Sequence, residues 1–414
     1  MMRIDYHLIK NIQEESSRSF EYLRKIHRDL HAHPELSGQE SWTAGYIENS
    51  LKDLDVEIKK NVGGHGLVAD LVTDPNKPTV ALRVDMDALP IQETNNVPYR
   101  SRFPGVMHAC GHDVHTAIGI GTARILKKYL DKIPGNIRLI FQPEEEQITG
   151  AKRMIREGVL EGPTPKAIFG LHVAPLPVGQ LAWTDGLFLS GFDHYLATLV
   201  PNENSLISND DLDAAAQRCC SAIQQLNQWY LPETWEEMQK FWELLKDPPK
   251  SLRNFIVYDA SVNEEDRDAW HGEFGIGVKA ATPHLRRSAL GRIRARIIRI
   301  CRLGKLNYHI ESMGSMIDMR NDSKLVQLTS PALKAAIGEE NLLNLRAAFP
   351  FNCEDFAYYT KIIPGAMAWL GAGNPNKGKY ALLHTPDFDV DESCLVIGCT
   401  TMVVLLIEAL LINS

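Results

Sequence analysis

The chain lacks a dominant charge of either sign. Its 44 lysines and arginines stand against 52 aspartates and glutamates, a net charge of -8 over 414 residues. No long basic run occurs, which argues against nucleic acid as a partner. An apolar N-terminal core is also missing. The opening MMRIDYHLIKNIQEESSRSFEYLRKIHRDL is charged throughout and has no signal-peptide pattern. The seven cysteines (Cys110, Cys219, Cys220, Cys301, Cys353, Cys394 and Cys399) are odd in number and irregularly spaced. They argue against a disulfide framework and for a reducing, cytoplasmic setting. There is no G-x-S-x-G elbow of a serine hydrolase and no glycine-rich phosphate loop with its lysine. A single long apolar run remains, LVIGCTTMVVLLIEALLI from Leu395 to Ile412, nearly long enough to span a bilayer. It carries Glu408 and two threonines, so a terminal helix buried against a sheet is expected, with no membrane partner.

At 44% hydrophobic and 23% charged residues, the composition is that of a globular protein with material for two or three domain-sized units. The first part alternates between helical and strand patterns. Residues 18–31, 41–54 and 116–130 have helical spacing, and 66–72, 79–89, 136–142 and 166–173 read as β-rich runs. That alternation predicts an α/β sheet with helices on both faces. From about Phe192 to Ser312 the pattern changes. Residues 211–230 read as one helix. Thr234, with Glu237 three residues on, announces another helix through a capping box. Trp235, Met238, Trp242 and Leu245 share one face of that helix, as a core stripe or a subunit contact. Residues 288–301 form a basic amphipathic helix with a solvated face. After about residue 313 the α/β character returns, with a buried strand at 364–373. The expected organisation is a catalytic domain of residues 1–191 and 313–414, interrupted by an inserted α+β domain of residues 192–312.

The chemistry-bearing residues cluster at strand exits. MHACGHDVHTA at 107–117 packs Cys110, His112, Asp113 and His115 into six positions. A thiolate and an imidazole two residues apart can ligate one metal, and zinc and its relatives accept this donor set. Asp113 is placed to orient an imidazole. Against this stands the blander reading of a helix N-terminus with polar caps. QPEEE at 142–146 follows an apolar strand, and its adjacent carboxylates repel one another unless a cation relieves them. The alternative is an acidic loop in water. Asp85 and Asp87 follow another strand, and His172 and His384 end two further segments. Each lone histidine is more often structural. Their recurrence at the exits of four strands, where open α/β sheets bind ligands, gives them weight together.

Taken together these motifs resemble the di-metal peptidase, aminoacylase and amidohydrolase family that includes carboxypeptidase G. The likeness is greatest to the branch of hippurate hydrolases, N-acyl-amino-acid amidohydrolases and auxin-conjugate hydrolases. It is carried by LRKIHRDLHAHPELSGQE, ALRVDMDALPIQE, MHACGHDVHTA, RLIFQPEEE, GAKRMIREG, GLHV, CEDFAYY, LGAGNPNKG and LLHTPDFDVDE, in order and spacing. The resemblance implies two divalent metal ions, zinc with manganese, nickel or cobalt as alternatives. It implies ligands at Cys110, His112, Glu146, His172 and His384, with Cys110 between the metals. Glu145 would be the general base, Asp87 would support the site from behind the ligands, and Glu144 would take a variable position. Residues 192–312 would form a lid that also mediates a homodimer. The family's glycine-rich turn ending in histidine is absent, since VPNENSLISNDD has no histidine near Ser205. Its Asn-Ile-Pro stretch is replaced by NEEDRDAWHGEF, where His271 is either a substitute or an ordinary exposed histidine. The Trp235 helix looks like an insertion. The implied activity is hydrolysis of an N-acyl amino acid amide by activated water. The alternatives are a dipeptidase or specialised biosynthetic deacylase, or a ligand-binding protein on the same fold.

Overall fold

The run NIRLIFQ alternates a largely polar face (Asn136, Arg138, Gln142) with an apolar one (Ile137, Leu139, Phe141), and it forms a strand buried at all seven positions, as the centre of a sheet covered on both sides requires, with Arg138 paired to Asp70 and Gln142 to Arg83. In the computed structural model, which describes residues 3–203, 205–262 and 271–413, it sits within a mixed sheet. Fourteen strands lie among the described residues. The first seven are β1 (Glu57–Lys60), β2 (Leu67–Leu71), β3 (Thr79–Asp85), β4 (Asn136–Gln142), β5 (Ile168–Pro177), β6 (Leu181–Thr184) and β7 (Gly186–Leu189). The others are β8 (Phe192–Pro201), β9 (Ile256–Ser261), β10 (Glu273–Ala280), β11 (Leu306–Met316), β12 (Met319–Asn321), β13 (Leu342–Leu345) and β14 (Gly365–Gly373).

The large sheet has eight strands in the order β1-β2-β4-β3-β5-β14-β6-β13. β4, β3, β5 and β14 run parallel, and antiparallel pairings join β2 to β4 and β6 to β14. The two faces of β3 follow the period of two. Val80, Leu82 and Val84 enter one core, while Ala81 enters the other. The first core is covered by helices Phe20–His31, His112–Lys127 and Cys394–Asn413, the second by Gly150–Arg156 and Ala357–Thr360. This is the expected α/β class with a mixed sheet and helices on both faces. A separate four-stranded antiparallel sheet, β11-β8-β10-β9, is backed by helices Asn209–Gln224 and Pro283–Gly304.

Cys394–Asn413 is the one helix among the described residues that is long and apolar enough to cross a membrane, and 78% of that window is buried inside the protein. Glu408 within it is fully buried, and it accepts hydrogen bonds from the Ile4 amide at 2.8 Å and from Arg3 at 2.5 Å. The helix packs on β3 and on four other helices, Tyr6–Arg18, Phe20–His31, His112–Lys127 and Ser323–Ile337.

Other elements depart from expectation. Tyr6–Arg18 is a further helix, capped by Asp5 through the His7 and Leu8 amides, with Ile9 and Ile12 buried. The helix expected to run to Tyr230 ends at Gln224. Asn227 explains the stop, because its side chain pairs with both backbone groups of Tyr258 at 2.9 and 2.8 Å and draws the chain onto β9. Helix Trp235–Lys246 starts at Thr234, whose side chain accepts from the Glu237 amide. Glu237 in turn accepts from the Glu233 amide rather than from that of Thr234. Its buried face (Met238, Phe241, Trp242, Leu245) is core and packs against the large sheet at β5 and β13, although its sequence lies between two strands of the small sheet.

Arg83 organises the charged end of β3. Fully buried, it donates to Asp85 at 2.6 Å, Asp355 at 2.8 Å and Gln142 at 2.9 Å, and pairs with Glu354 at 3.1 Å. Removing one partner of a buried ionic network leaves the others uncompensated. Arg83→Met is therefore expected to destabilise the protein by about 3–5 kcal/mol, read as a lowered denaturant midpoint. An unchanged midpoint would contradict this assignment.

Candidate metal centre

The parallel strands end together, and their carboxyl ends deliver the candidate residues to one place. Asp85 closes β3 and Gln142 closes β4 in register with it, and just beyond them the Glu146 amide donates to Asp87 at 3.0 Å. β5 runs past that line to Pro177, which places His172 inside a strand rather than at its end. Cys110 precedes helix His112–Lys127. Gly111 makes that turn at φ 80°, and a Cβ there would lie 2.4 Å from Val173 Cγ2. Both the conformation and the space demand glycine.

The structure brings all five candidate ligands together. Cys110 Sγ lies 3.4 Å from His172 Nε2 and 3.2 Å from His384 Nε2. Glu146 Oε1 lies 3.6 Å from His384 Nε2 and 3.8 Å from His112 Nε2. Two clusters of potential donors share Cys110: one is Cys110, His112 and His172, the other Cys110, Glu146 and His384, with donor atoms within 4.8 Å of one another in each. His384, itself at φ 60°, is tied into place by its amide, which donates to the Ala109 carbonyl at 2.8 Å.

The imidazoles are oriented from behind. His172 Nδ1 donates to the Val173 carbonyl at 2.8 Å, leaving Nε2 to face the cluster. His112 Nδ1 lies 3.1 Å from Asp87 Oδ1, and Asp87 is itself held by Ser37 at 2.7 Å and by the Glu146 amide at 3.0 Å. Asp87 therefore fixes two candidate ligands at once. His112 Nε2 and Glu146 Oε1 are buried without a hydrogen-bond partner. Orphaned donor atoms of this kind, converging within 4.8 Å, fit a cation better than any other occupant.

Neighbouring residues divide into those that face the cluster and those that do not. His115 is saturated: it pairs with Asp85 at 2.6 Å, and its Nε2 accepts from the Val173 amide at 2.9 Å. Asp113 orients no candidate ligand. It faces His31 at 2.7 Å and His27 at 3.3 Å on the opposite side of its helix. Glu144, in a left-handed conformation at φ 55°, turns away to Arg153 and Thr149, which separates it from its two acidic neighbours. Of NEEDRDAWHGEF, positions 263–270 lie outside the described residues. His271 is paired with Asp213 at 3.0 Å and is not among the residues that line the cleft.

Burial and charge set the protonation states. Burial, reinforced by Glu354, Glu146 and Asp355, pushes Glu145 well above the carboxylate range. Burial, then Glu146 and Glu145, holds the Cys110 thiol protonated. Burial works against the His112 imidazolium, but Asp85, Asp87 and Glu146 outweigh it and raise that group to about 10. Burial followed by His115 keeps His172 neutral, with its lone pair free. Protons thus occupy the positions where cations would compensate the same carboxylates.

A cavity of about 470 Å³ opens beside the cluster. Cys110, Glu145, Glu146, His172 and His384 line one end and an apolar, aromatic group of side chains lines the other. Lys279, from β10 of the small sheet, also reaches it. Neither the aromatic end nor Lys279 is foreseeable from local sequence pattern, because they come from segments far apart in the chain.

Comparison with known proteins agrees with this geometry. The sequence profile of Peptidase family M20/M25/M40 matches residues 81–408. A probable hydrolase of Synechocystis is 31% identical over 382 residues, covering 92% of this chain and 93% of that protein. An N-acetylcysteine deacetylase of Bacillus subtilis is 31% identical over 396 residues, covering 91% of this chain and 93% of that protein. Among solved structures, the Bacillus subtilis YXEP protein, described as a dinuclear metal binding peptidase, superposes with a TM-score of 0.71 at 27% identity, covering 95% of this chain and 99% of that one.

Because His112, Cys110 and Glu145 carry protons in the absence of metal, metal uptake at neutral pH must release them. Calorimetric titration of metal-free protein with Zn2+, in buffers of different ionisation enthalpy, is expected to show about one to three protons released. Apparent affinity should rise with pH. Metal binding without proton release or pH dependence would contradict these protonation states.

Proposed function

The chain belongs to Peptidase family M20/M25/M40, and on that premise we propose that this metal-dependent amidohydrolase cleaves the amide of an N-acyl amino acid, with Glu145 as general base. The observation that carries the proposal is the convergence of Cys110, His112, Glu146, His172 and His384 beside a buried glutamate. Cys110, His112 and His172 would hold one divalent cation and Cys110, Glu146 and His384 the other. Two such ions supply a polarised carbonyl and a readily ionised water. Zinc suits a thiol, imidazole and carboxylate set, with manganese, nickel or cobalt as alternatives.

The chain's own residues do the rest. Glu145 takes a proton from the attacking water and passes it to the leaving amine. Cations next to it would provide the opposing charge that favours its ionised form. Asp87 holds His112 and the Glu146 backbone in position. The cleft walls exclude water from the reacting centre. An N-acyl amino acid is favoured over a dipeptide by the apolar character of the cavity's far end, where the exposed Glu233 is the one carboxylate among the described lining residues outside the Glu145–Glu146 pair.

Residues 192–312 are proposed to act as the lid and as the contact of a homodimer. The placement of Lys279 at the cleft supports the first role. The open outer edge of β11, exposed from Glu311 to Ser315, supports the second. All seven cysteines are free, which supports a reducing, cytoplasmic setting.

Glu145→Gln is expected to lower kcat for N-acyl amino acids by about 10²–10⁴-fold, with metal content unchanged by elemental analysis. A fully metallated variant as fast as the parent would remove Glu145 from the role.

A further inference from the structure

The QPEEE turn carries the proposed general base and one candidate ligand on a backbone that does not hold itself. Glu144 stands at φ 55° and Ile148 at φ 58°, so Glu145 and Glu146 sit between two left-handed residues. That conformation is unfavourable for a residue with a Cβ, and most of all for a β-branched one. Such geometry persists only where its surroundings over-determine it.

Most of the ties on Glu144 are local. Its side chain accepts from the Thr149 hydroxyl at 2.8 Å and from the Arg153 guanidinium, nine residues on. Its carbonyl accepts from the Thr149 and Gly150 amides at 3.3 and 3.1 Å. These partners move with the turn. The Glu144 amide is tied elsewhere: it donates at 2.9 Å to Oε1 of Glu40, 104 residues earlier. Glu40 closes the stretch LRKIHRDLHAHPELSGQE, and the hydrolytic reading gives it no part.

Glu40 is fully buried, and it is not among the residues that line the cleft. Its Oε2 has no hydrogen-bond partner. Burial raises its carboxyl to about 7, and the groups that oppose burial are backbone amides (those of Glu40, Gly38 and Glu144) rather than a cation. A buried acid without a cation is costly to keep. Its loop is fastened to the same frame as the candidate metal centre. The Ala88 amide donates to the Glu35 carbonyl at 2.8 Å, and Ser37 donates to Asp87 at 2.7 Å. Asp87 in turn accepts from the Glu146 amide at 3.0 Å. One loop thus holds the turn on both sides of Glu145, through Glu40 at Glu144 and through Ser37 and Asp87 at Glu146.

We propose that Glu40 is a positioning residue for Glu145, its Oε1 fixing the Glu144 amide and so aiming the neighbouring carboxylate at the cleft without touching substrate or metal. The inference rests on the hydrolytic reading above and adds a residue to it. What the position requires is an acceptor at a set reach, because the group it meets is a single N–H. Once that amide is released, Glu144 relaxes toward negative φ and swings Glu145 out of place. A displacement of about 1 Å in a reacting group can cost about 100-fold in rate.

The test is a set of three variants, each loaded with metal and checked by elemental analysis. Glu40→Gln keeps the acceptor at the same reach and removes the charge. Glu40→Asp keeps the charge and draws the acceptor back by one methylene. Glu40→Leu removes the acceptor. For turnover of N-acetylcysteine and N-benzoylglycine, Glu40→Gln is expected within about threefold of the parent, and Glu40→Asp and Glu40→Leu about tenfold or more lower in kcat, with KM and metal content unchanged. Hydrogen–deuterium exchange, resolved to single amides by electron-transfer fragmentation, should find the Glu144 amide protected in the parent and in Glu40→Gln and unprotected in the other two. The Glu40→Asp and Glu40→Gln pair decides the matter even if Glu40→Leu does not fold.

Glu40→Asp as fast as the parent would overturn the proposal. So would Glu40→Gln as slow as Glu40→Asp, which would make charge rather than reach the requirement. A raised KM with kcat unchanged would place the effect in binding, and a Glu144 amide still protected in Glu40→Asp would remove the contact; either result overturns it. A parent that hydrolyses neither amide while the exchange pattern holds would defeat the hydrolytic function instead and leave the tie between Glu40 and the turn standing.

Discussion

The convergence of five candidate metal-ligand side chains on one thiol, with His112 Nε2 and Glu146 Oε1 left without hydrogen-bond partners, is the constraint on which this structure depends. Cys110, His112, His172, Glu146 and His384 come from four separate stretches of the chain, yet they meet around one thiol. Left to themselves, buried polar atoms find partners, because an unsatisfied one costs about 1–3 kcal/mol. Here His112 Nε2 and Glu146 Oε1 have none, and the Nε2 atoms of His172 and His384 meet only the Cys110 thiol as a hydrogen-bond partner. The Val173 carbonyl takes the far nitrogen of His172, and Asp87 takes the far nitrogen of His112. The near nitrogens are directed at the cluster. Two positive charges resolve what the protein alone leaves unresolved.

The same logic governs charge. Asp85, Asp87, Glu145, Glu354 and Asp355 are buried around the carboxyl ends of β3 and β4, with Arg83 as the central buried cation. One guanidinium cannot compensate so many carboxylates, so protons fill the deficit on Glu145 and Asp355, the latter raised by burial and then by Glu354, in spite of Arg83, to about 7. Arg83 anchors the scaffold side of the site. The cleft side remains electron-rich, which is the condition under which divalent ions bind and water ionises readily.

Much of this was legible in the sequence because it depends on local pattern. The apolar alternate positions of NIRLIFQ and the unbroken apolar run at 364–373 mark the sheet whose carboxyl ends carry the site. MHACGHD reads as metal ligands because it sets a thiol and an imidazole two residues apart. The illegible parts depend on tertiary contacts. Asp113 is one residue from His112, yet faces His27 and His31, because successive residues on a helix point about 100° apart. Glu144 stands beside Glu145, yet turns away from it to Arg153 and Thr149, still buried, through a left-handed backbone that no composition rule foretells. The helix at Trp235 has a Thr234 cap and an apolar stripe, which mark its existence and the buried Met238, Trp242 and Leu245, though Phe241 and not Trp235 completes the buried face. That the face packs on β5 depends on two hydrogen bonds to Pro175 formed across sixty residues of chain or more. Lys279 carried no sequence signal at all.

The most direct test is a crystal structure of the metal-loaded protein with anomalous diffraction recorded at the absorption edge of the added metal. Two peaks are predicted, both in contact with Cys110 Sγ, one also with His112 and His172 and the other with Glu146 and His384. No peak at Cys110 under saturating metal, or metal held by an unrelated set of side chains, would contradict the account.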